Sequence, residues 1–213
     1  MEGRAVTAEE VEALERCVAA GGVVLFPADT VYGLATDPES QEGVERLYRL
    51  KRRRPDRPAA VMFFEREPAL EALPELPGET REALERVLPG AVTLLLPNPA
   101  HRFPLACGPN QDVLGLRVPK VQGPLEDMSR PVLQSSANVS GHADVRRVDD
   151  VDARIKAGVD LVLDGGELPG TPSTVVDLTS YHEDGAHRIV RAGAVTDEAI
   201  HDALGTHWYR HPG

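Results

Sequence analysis

Short apolar runs alternate with longer amphipathic stretches along most of the chain. Thr7-Ala8-Glu9-Glu10 has the form of a capping box, and Val11, Leu14 and Val18 then recur at helical spacing until Gly21-Gly22. This predicts a helix of about three turns. Val23-Val24-Leu25-Phe26 is apolar, partly β-branched and closed by Pro27, the pattern of a buried strand, and it opens into a polar loop over residues 28–34. Ser40 is placed to cap a second helix with Val44, Leu47, Tyr48 and Leu50 on one face. Further strands are predicted over 59–64, 92–96, 114–118, 132–135 and 161–164, and at Val175-Val176 and Ile189-Val190. Helices are predicted over 80–88 and 149–157, and Thr196-Asp197 starts a closing helix. Residues 97–110, carrying four prolines and one glycine, read as a long surface loop.

Strands alternating with helices indicate an α/β layered fold, and the imperfect alternation of the second half favours a mixed sheet over a parallel one. At 213 residues one domain is the expectation. No linker divides the chain, and the segment after Leu204 reads as a loosely packed end.

Composition is that of a globular protein: 41% apolar, 27% charged and 4% aromatic. Charge changes the picture more. The 23 Lys and Arg against 34 Asp and Glu leave a net charge of −11, which argues against a protein that grips nucleic acid over its whole surface. Yet residues 45–57 hold seven basic side chains (Arg46, Arg49, Lys51, Arg52, Arg53, Arg54, Arg57) and two acidic ones, a local +5 that leaves −16 on the rest. Such an island suits either an anionic ligand or a solvated helix end.

Cys17 and Cys107 lie far apart, without CxxC spacing or histidines at ligand intervals, so no zinc site is expected. Neither a signal-peptide pattern nor an apolar run long enough for a membrane span is present, and the cytoplasm is the expected address. GxSxG, GxxxxGK[ST], HExxH and GxGxxG are all missing. What remains is a set of polar clusters, most of them following an apolar strand. They include the hydroxyl-rich segment around Asp29-Thr30-Val31-Tyr32, the basic run from Lys51, Ser135-Ser136-Ala137-Asn138-Val139-Ser140-Gly141, Ser173-Thr174-Val175-Val176-Asp177 and Arg191-Ala192-Gly193. Arginine forks match phosphate oxygens in pairs, and small hydroxyl residues in a turn let a phosphate approach closely.

Order and spacing together resemble the YrdC-like family of L-threonylcarbamoyladenylate synthases. Its pattern P-T-[DE]-T-V-Y-G-L, K-x-R, P-G-P-x-T, S-A-N-x-S-G, S-T-[IV]-[IV]-D and R-x-G is matched at 27–34, 51–53, 89–93, 136–141, 173–177 and 191–193. The resemblance implies a single YrdC-like domain over residues 7–200, a twisted mixed β-sheet flanked by helices, with a C-terminal tail at 201–213. It implies a nucleotidyltransferase that joins L-threonine, bicarbonate and ATP into threonylcarbamoyl-AMP with release of pyrophosphate, for threonylcarbamoyladenosine modification of tRNA. ATP would be a substrate and Mg2+ would ride on its phosphates, with no protein metal site. A downstream threonylcarbamoyl-transfer protein would receive the product.

Carried over by motif, Lys51, Arg53 and Arg191 would be catalytic. The nucleotide would be held by Lys51, Arg53, Arg57, Thr93, Ser136, Asn138 and Arg191, and threonine by Thr30, Tyr32, Arg117 and Ser173. Three departures accompany the match. Ala28 stands where threonine is common, Ser135 replaces a proline, and Asp144-Val145-Arg146 stands where a Pro-Thr pair usually follows Gly141. Two alternatives stay open at this stage: a YrdC-like paralogue with another carbamoyl or adenylate substrate, and a double-stranded RNA-binding module.

Overall fold

The computed structural model describes residues 5–205. The expected loose end therefore lies mostly outside the described residues. The first helix, α1 (Ala8–Ala19), begins on the predicted capping box: the Thr7 hydroxyl accepts from Glu10 N and the Glu10 carboxylate from Thr7 N. It buries Val11, Leu14 and Val18.

A hairpin of β1 (Val24–Pro27) and β2 (Tyr32–Thr36) follows, then α2 (Gln41–Leu50), capped by Ser40. The chain continues through β3 (Ala60–Met62), α3 (Arg66–Glu71), α4 (Gly78–Val87), β4 (Val92–Pro97), α5 (Pro104–Cys107), β5 (Val113–Arg117) and β6 (Val132–Ser136). It closes with α6 (Ala153–Gly158), β7 (Leu161–Val162), β8 (Thr174–Asp177), α7 (Tyr181–Asp184), β9 (Arg188–Arg191) and α8 (Asp197–Leu204). No helix among the described residues is long and apolar enough to cross a membrane.

The strands form one sheet in the order β7-β1-β2-β6-β3-β5-β4-β8-β9. Three pairs, β1/β7, β3/β5 and β4/β8, run parallel and the rest antiparallel, so the sheet is mixed as expected. Because side chains alternate between faces, each strand serves two layers. Leu25, Leu34, Val61, Leu94, Leu116 and Leu133 point into one continuous core with the buried faces of α2, α4, α6, α7 and α8. Val24, Phe26, Met62 and Val132 point the other way, against α1.

That second layer covers only one end of the sheet. Toward β5, β4 and β8 the same face carries Gly115, Arg117, Thr93, Leu95 and Val175, and these line an open cavity. The floor is deep at its centre because Ala60 and Gly115, which sit side by side between Gln134 and Leu95 in a row across four strands, are small.

Three differences from the sequence reading bear on the site. Of the stretch expected as a polar loop, residues 28–31 form the turn, but Tyr32, Gly33 and Leu34 belong to a strand, β2, which pairs with β1 on one side and β6 on the other. The segment 97–110 contains α5 and buries Ala106 and Cys107, so it is packed rather than a free surface loop. Helix α8 runs to Leu204 with Ile200 and Leu204 buried, which carries the folded domain four residues past the boundary drawn at 200.

Candidate functional site

The cavity, about 410 Å³, opens at one end onto a basic shelf, and Arg53, Ser136, Asp144 and Arg191 line both. The shelf is built by the end of α2. Lys51 caps that helix, Arg52 turns the chain with φ +49°, and Arg53 N returns to Tyr48 O at 2.9 Å. Tyr48 then fixes both ends of the basic run: the Arg53 guanidinium lies 5.6 Å over its ring, and its hydroxyl donates to Arg57 O at 2.7 Å. Lys51, Arg52, Arg53, Arg54 and Arg57 all line the shelf. Arg46 and Arg49 do not. They turn back to Asp160 at 2.7 Å and to Glu45 at 3.8 Å, so the island seen in sequence divides into a working half and a structural half.

Lys51 is almost wholly buried. Its ammonium donates to Ser136 O, to Asn138 O at 2.8 Å and to Asn138 Oδ1 at 3.1 Å, and Ser140 N donates to Lys51 O at 2.8 Å. The lysine thus clamps the loop 136–141 onto the end of α2. Burial, reinforced by the nearby Arg53, lowers its pKa to about 7, with Asp144 opposing the shift. Ser136 donates to Asn138 Oδ1 at 2.6 Å and Asn138 Nδ2 donates to His142 O, so the loop is braced from within.

Across the cavity Thr93 and Ser173 share a hydrogen bond of 2.8 Å, and Arg191 donates to Ser173 O at 2.7 Å. Gly193 makes this arrangement feasible. A Cβ there would lie 2.5 Å from Ser173 C and Thr174 N, so only glycine lets the end of β9 pack on the start of β8. The contact is stitched by Ala194 N to Pro172 O at 2.8 Å and by Thr174 Oγ1 to Val195 O at 2.6 Å.

At the inner end Arg117 is only 4% exposed and donates to Asp29 Oδ1 at 2.7 Å, with Gln134 Oε1 at 3.4 Å. Its Nε is buried without a partner among the described residues. Burial disfavours the Arg117 charge and Asp29 offsets that cost. Arg117 therefore faces the cavity as one half of a buried ion pair.

The structure brings Lys51, Arg53, Arg57, Thr93, Arg117, Ser136, Asn138, Ser173 and Arg191 onto one continuous surface. Thr30 and Tyr32 are not on it. Thr30 is buried beside Asp29, its hydroxyl 3.4 Å from Asp29 Oδ1. Tyr32 belongs to the opposite core, where its hydroxyl accepts from Gly165 N at 2.9 Å and lies 2.7 Å from Gly166 O. Both tie the β1–β2 hairpin to the 164–170 segment, Tyr32 through its hydroxyl and Thr30 through its carbonyl, rather than lining the cavity.

Conversely, the cavity wall includes Gln134, which the sequence did not single out, together with Ser135 and Asp144, which stood out only as departures from the family pattern, and Asp29 enters it through Arg117. Gln134 had a signal, a polar side chain in the apolar run Val132-Leu133. The role of Asp29 depended on a partner 88 positions away. No group of three or more His, Cys, Asp or Glu able to hold a metal ion occurs among the described residues.

Comparison with known proteins gives matches over most of the chain. The model of the Sua5/YciO/YrdC family, described as telomere recombination, matches residues 16–193. The chain is similar to the threonylcarbamoyl-AMP synthase of Pyrococcus abyssi, with 30% identity over 189 residues, covering 87% of this chain and 54% of that protein. It is similar to the enzyme of the same name from Hahella chejuensis, with 30% identity over 165 residues, covering 75% and 89%. The crystal structure of P. abyssi Sua5 complexed with L-threonine superposes with a TM-score of 0.81 at 27% identity, covering 95% of this chain and 60% of that one. The chain thus spans little more than half of the archaeal relative and most of the bacterial one.

Proposed function

The chain belongs to the Sua5/YciO/YrdC family, and on that premise we propose that it is an L-threonylcarbamoyladenylate synthase. The observation that carries the reading is the continuity of two unlike compartments. A cationic shelf sized for a polyphosphate leads into a cavity that ends in a buried arginine, with Arg53, Ser136 and Arg191 at the junction.

In this reading ATP lies with its phosphates along Arg53, Arg57, Ser136, Asn138 and Arg191. Threonine occupies the inner cavity with its carboxylate toward Arg117 and its hydroxyl near Ser173. The threonine amine captures bicarbonate as a carbamate, with loss of water. A carbamate oxygen then attacks the α-phosphorus, the bond to the bridging oxygen breaks, and pyrophosphate leaves. No enzyme nucleophile is required. The protein supplies alignment of the two reactants at the junction and neutralisation of charge by Arg53 and Arg191. Lys51 acts as a positioning residue by holding the loop that presents Ser136 and Asn138. Mg2+ enters with the nucleotide. The adenylate would pass to a transfer protein that modifies tRNA.

The test is pyrophosphate release from ATP with single omissions. The reading predicts turnover that requires both L-threonine and bicarbonate. Threonine-independent release, or none, overturns it. A second test separates the compartments: Arg53→Ala should weaken ATP binding far more than threonine binding, and equal loss of both would mark general disruption instead.

A further inference from the structure

Asp144 is the one carboxylate among the described residues that lines both the cavity and the shelf; it lies close enough to Lys51 to favour that lysine's charge, yet makes no direct ion pair with Arg53 or Arg191, which line the same junction. Its place is fixed by backbone rather than by its own side chain. Tyr32 N donates to Val145 O at 2.9 Å, Leu168 N donates to Arg146 O at 2.9 Å, and Arg146 is tied to Glu167 at 2.8 Å. The backbone on the C-terminal side of Asp144 is thus tied to β2 and to the segment before β8, which sets the carboxylate at the junction of cavity and shelf.

A negative group beside a phosphate path opposes a bare polyanion. The opposition reverses when a divalent cation is shared between the carboxylate and the phosphates, since Mg2+ is commonly held by one or two carboxylates together with substrate phosphates while keeping most of its water. We propose that Asp144 is a specificity-determining residue that makes the site select the metal-complexed form of a nucleoside triphosphate over the metal-free form. The inference rests on the nucleotide site proposed above. It differs from the simpler expectation that the ion rides on the triphosphate without help from the protein.

The experiment is ATP binding to the full chain by calorimetry, with Mg2+ and with a chelator, for the unaltered protein, Asp144→Asn and Asp144→Glu. AMP, which lacks the β- and γ-phosphates, serves as control. The unaltered protein should bind ATP about tenfold more tightly with Mg2+ than without. Asp144→Asn should lose most of that ratio, chiefly by gaining affinity for metal-free ATP, while Asp144→Glu keeps it and AMP shows no metal effect in any of the three proteins. The same Mg2+ ratio in Asp144→Asn as in the unaltered protein would overturn the assignment while leaving the nucleotide site standing. Absence of ATP binding to the unaltered protein under both conditions would overturn the nucleotide site, and the inference with it.

Discussion

Lys51 and Arg117 illustrate how a side chain picked out as a ligand-facing cation is first a piece of architecture. Lys51 spends its protons on Ser136 O and Asn138, and Arg117 spends one arm on Asp29. Both were legible in the sequence as cations next to motifs. Their partners were not, because those contacts span 17–88 positions and depend on strand order.

Two predictions follow at this scale. A lysine held near pKa 7 binds fewer protons when folded than when unfolded between about pH 7 and its ordinary value of 10.5, so stability should rise with pH across that window. Lys51→Met should remove this rise, as read from urea midpoints at neutral and alkaline pH; parallel profiles for the two proteins would contradict the burial argument. For the other cation, Asp29→Ala leaves the Arg117 charge buried without its partner and should cost roughly 3–5 kcal/mol of stability. The double variant Asp29→Leu with Arg117→Met should recover much of that loss while still failing to bind threonine, measurable by denaturation and calorimetry on the same samples.

At the level of elements, helices with caps and clear periodicity were readable from sequence: α1 from Thr7 and α2 from Ser40 both begin where their caps placed them. The strands that build the cavity were readable too, because β4 alternates strictly and β5 and β6 are bounded by turn residues. The failure was β2. Its residues Tyr32-Gly33-Leu34 follow a polar turn and resemble a loop, and only pairing with β1 on one side and β6 on the other makes them a central strand. That pairing is also why Tyr32 faces the opposite core instead of the cavity.

Gly193 gives this scale its prediction. Gly193→Ala forces the end of β9 away from Pro172, Ser173 and Thr174 and so moves Arg191 off Ser173. The expected result is a fall in kcat of at least about tenfold with a smaller change in the KM for threonine, since misplacement of a charge-stabilising group acts mainly on the transition state. An unchanged kcat would show that Arg191 is not positioned by this contact.

For the molecule as a whole, the net charge of −11 conceals a division of labour. Within the basic run, Arg46 is committed to Asp160 and Arg54 to Asp56 at 2.6 Å, and the remaining shelf spans a few side chains. Phosphate-driven affinity for a duplex needs several cations spaced along its backbone. Micromolar protein should therefore not retain double-stranded RNA at low salt; retention that falls steeply with added salt would favour the RNA-binding alternative.

The central claim is that the two compartments join the carbon of bicarbonate to the threonine nitrogen and then, through a carbamate oxygen, to the α-phosphorus of ATP as pyrophosphate leaves. Its most direct measurement is the fate of carbon-labelled bicarbonate incubated with the protein, ATP, Mg2+ and L-threonine. Label should appear in an adenylate that breaks down to AMP and a labelled threonine derivative, formed in step with pyrophosphate. Pyrophosphate released without incorporation of the labelled carbon would contradict it.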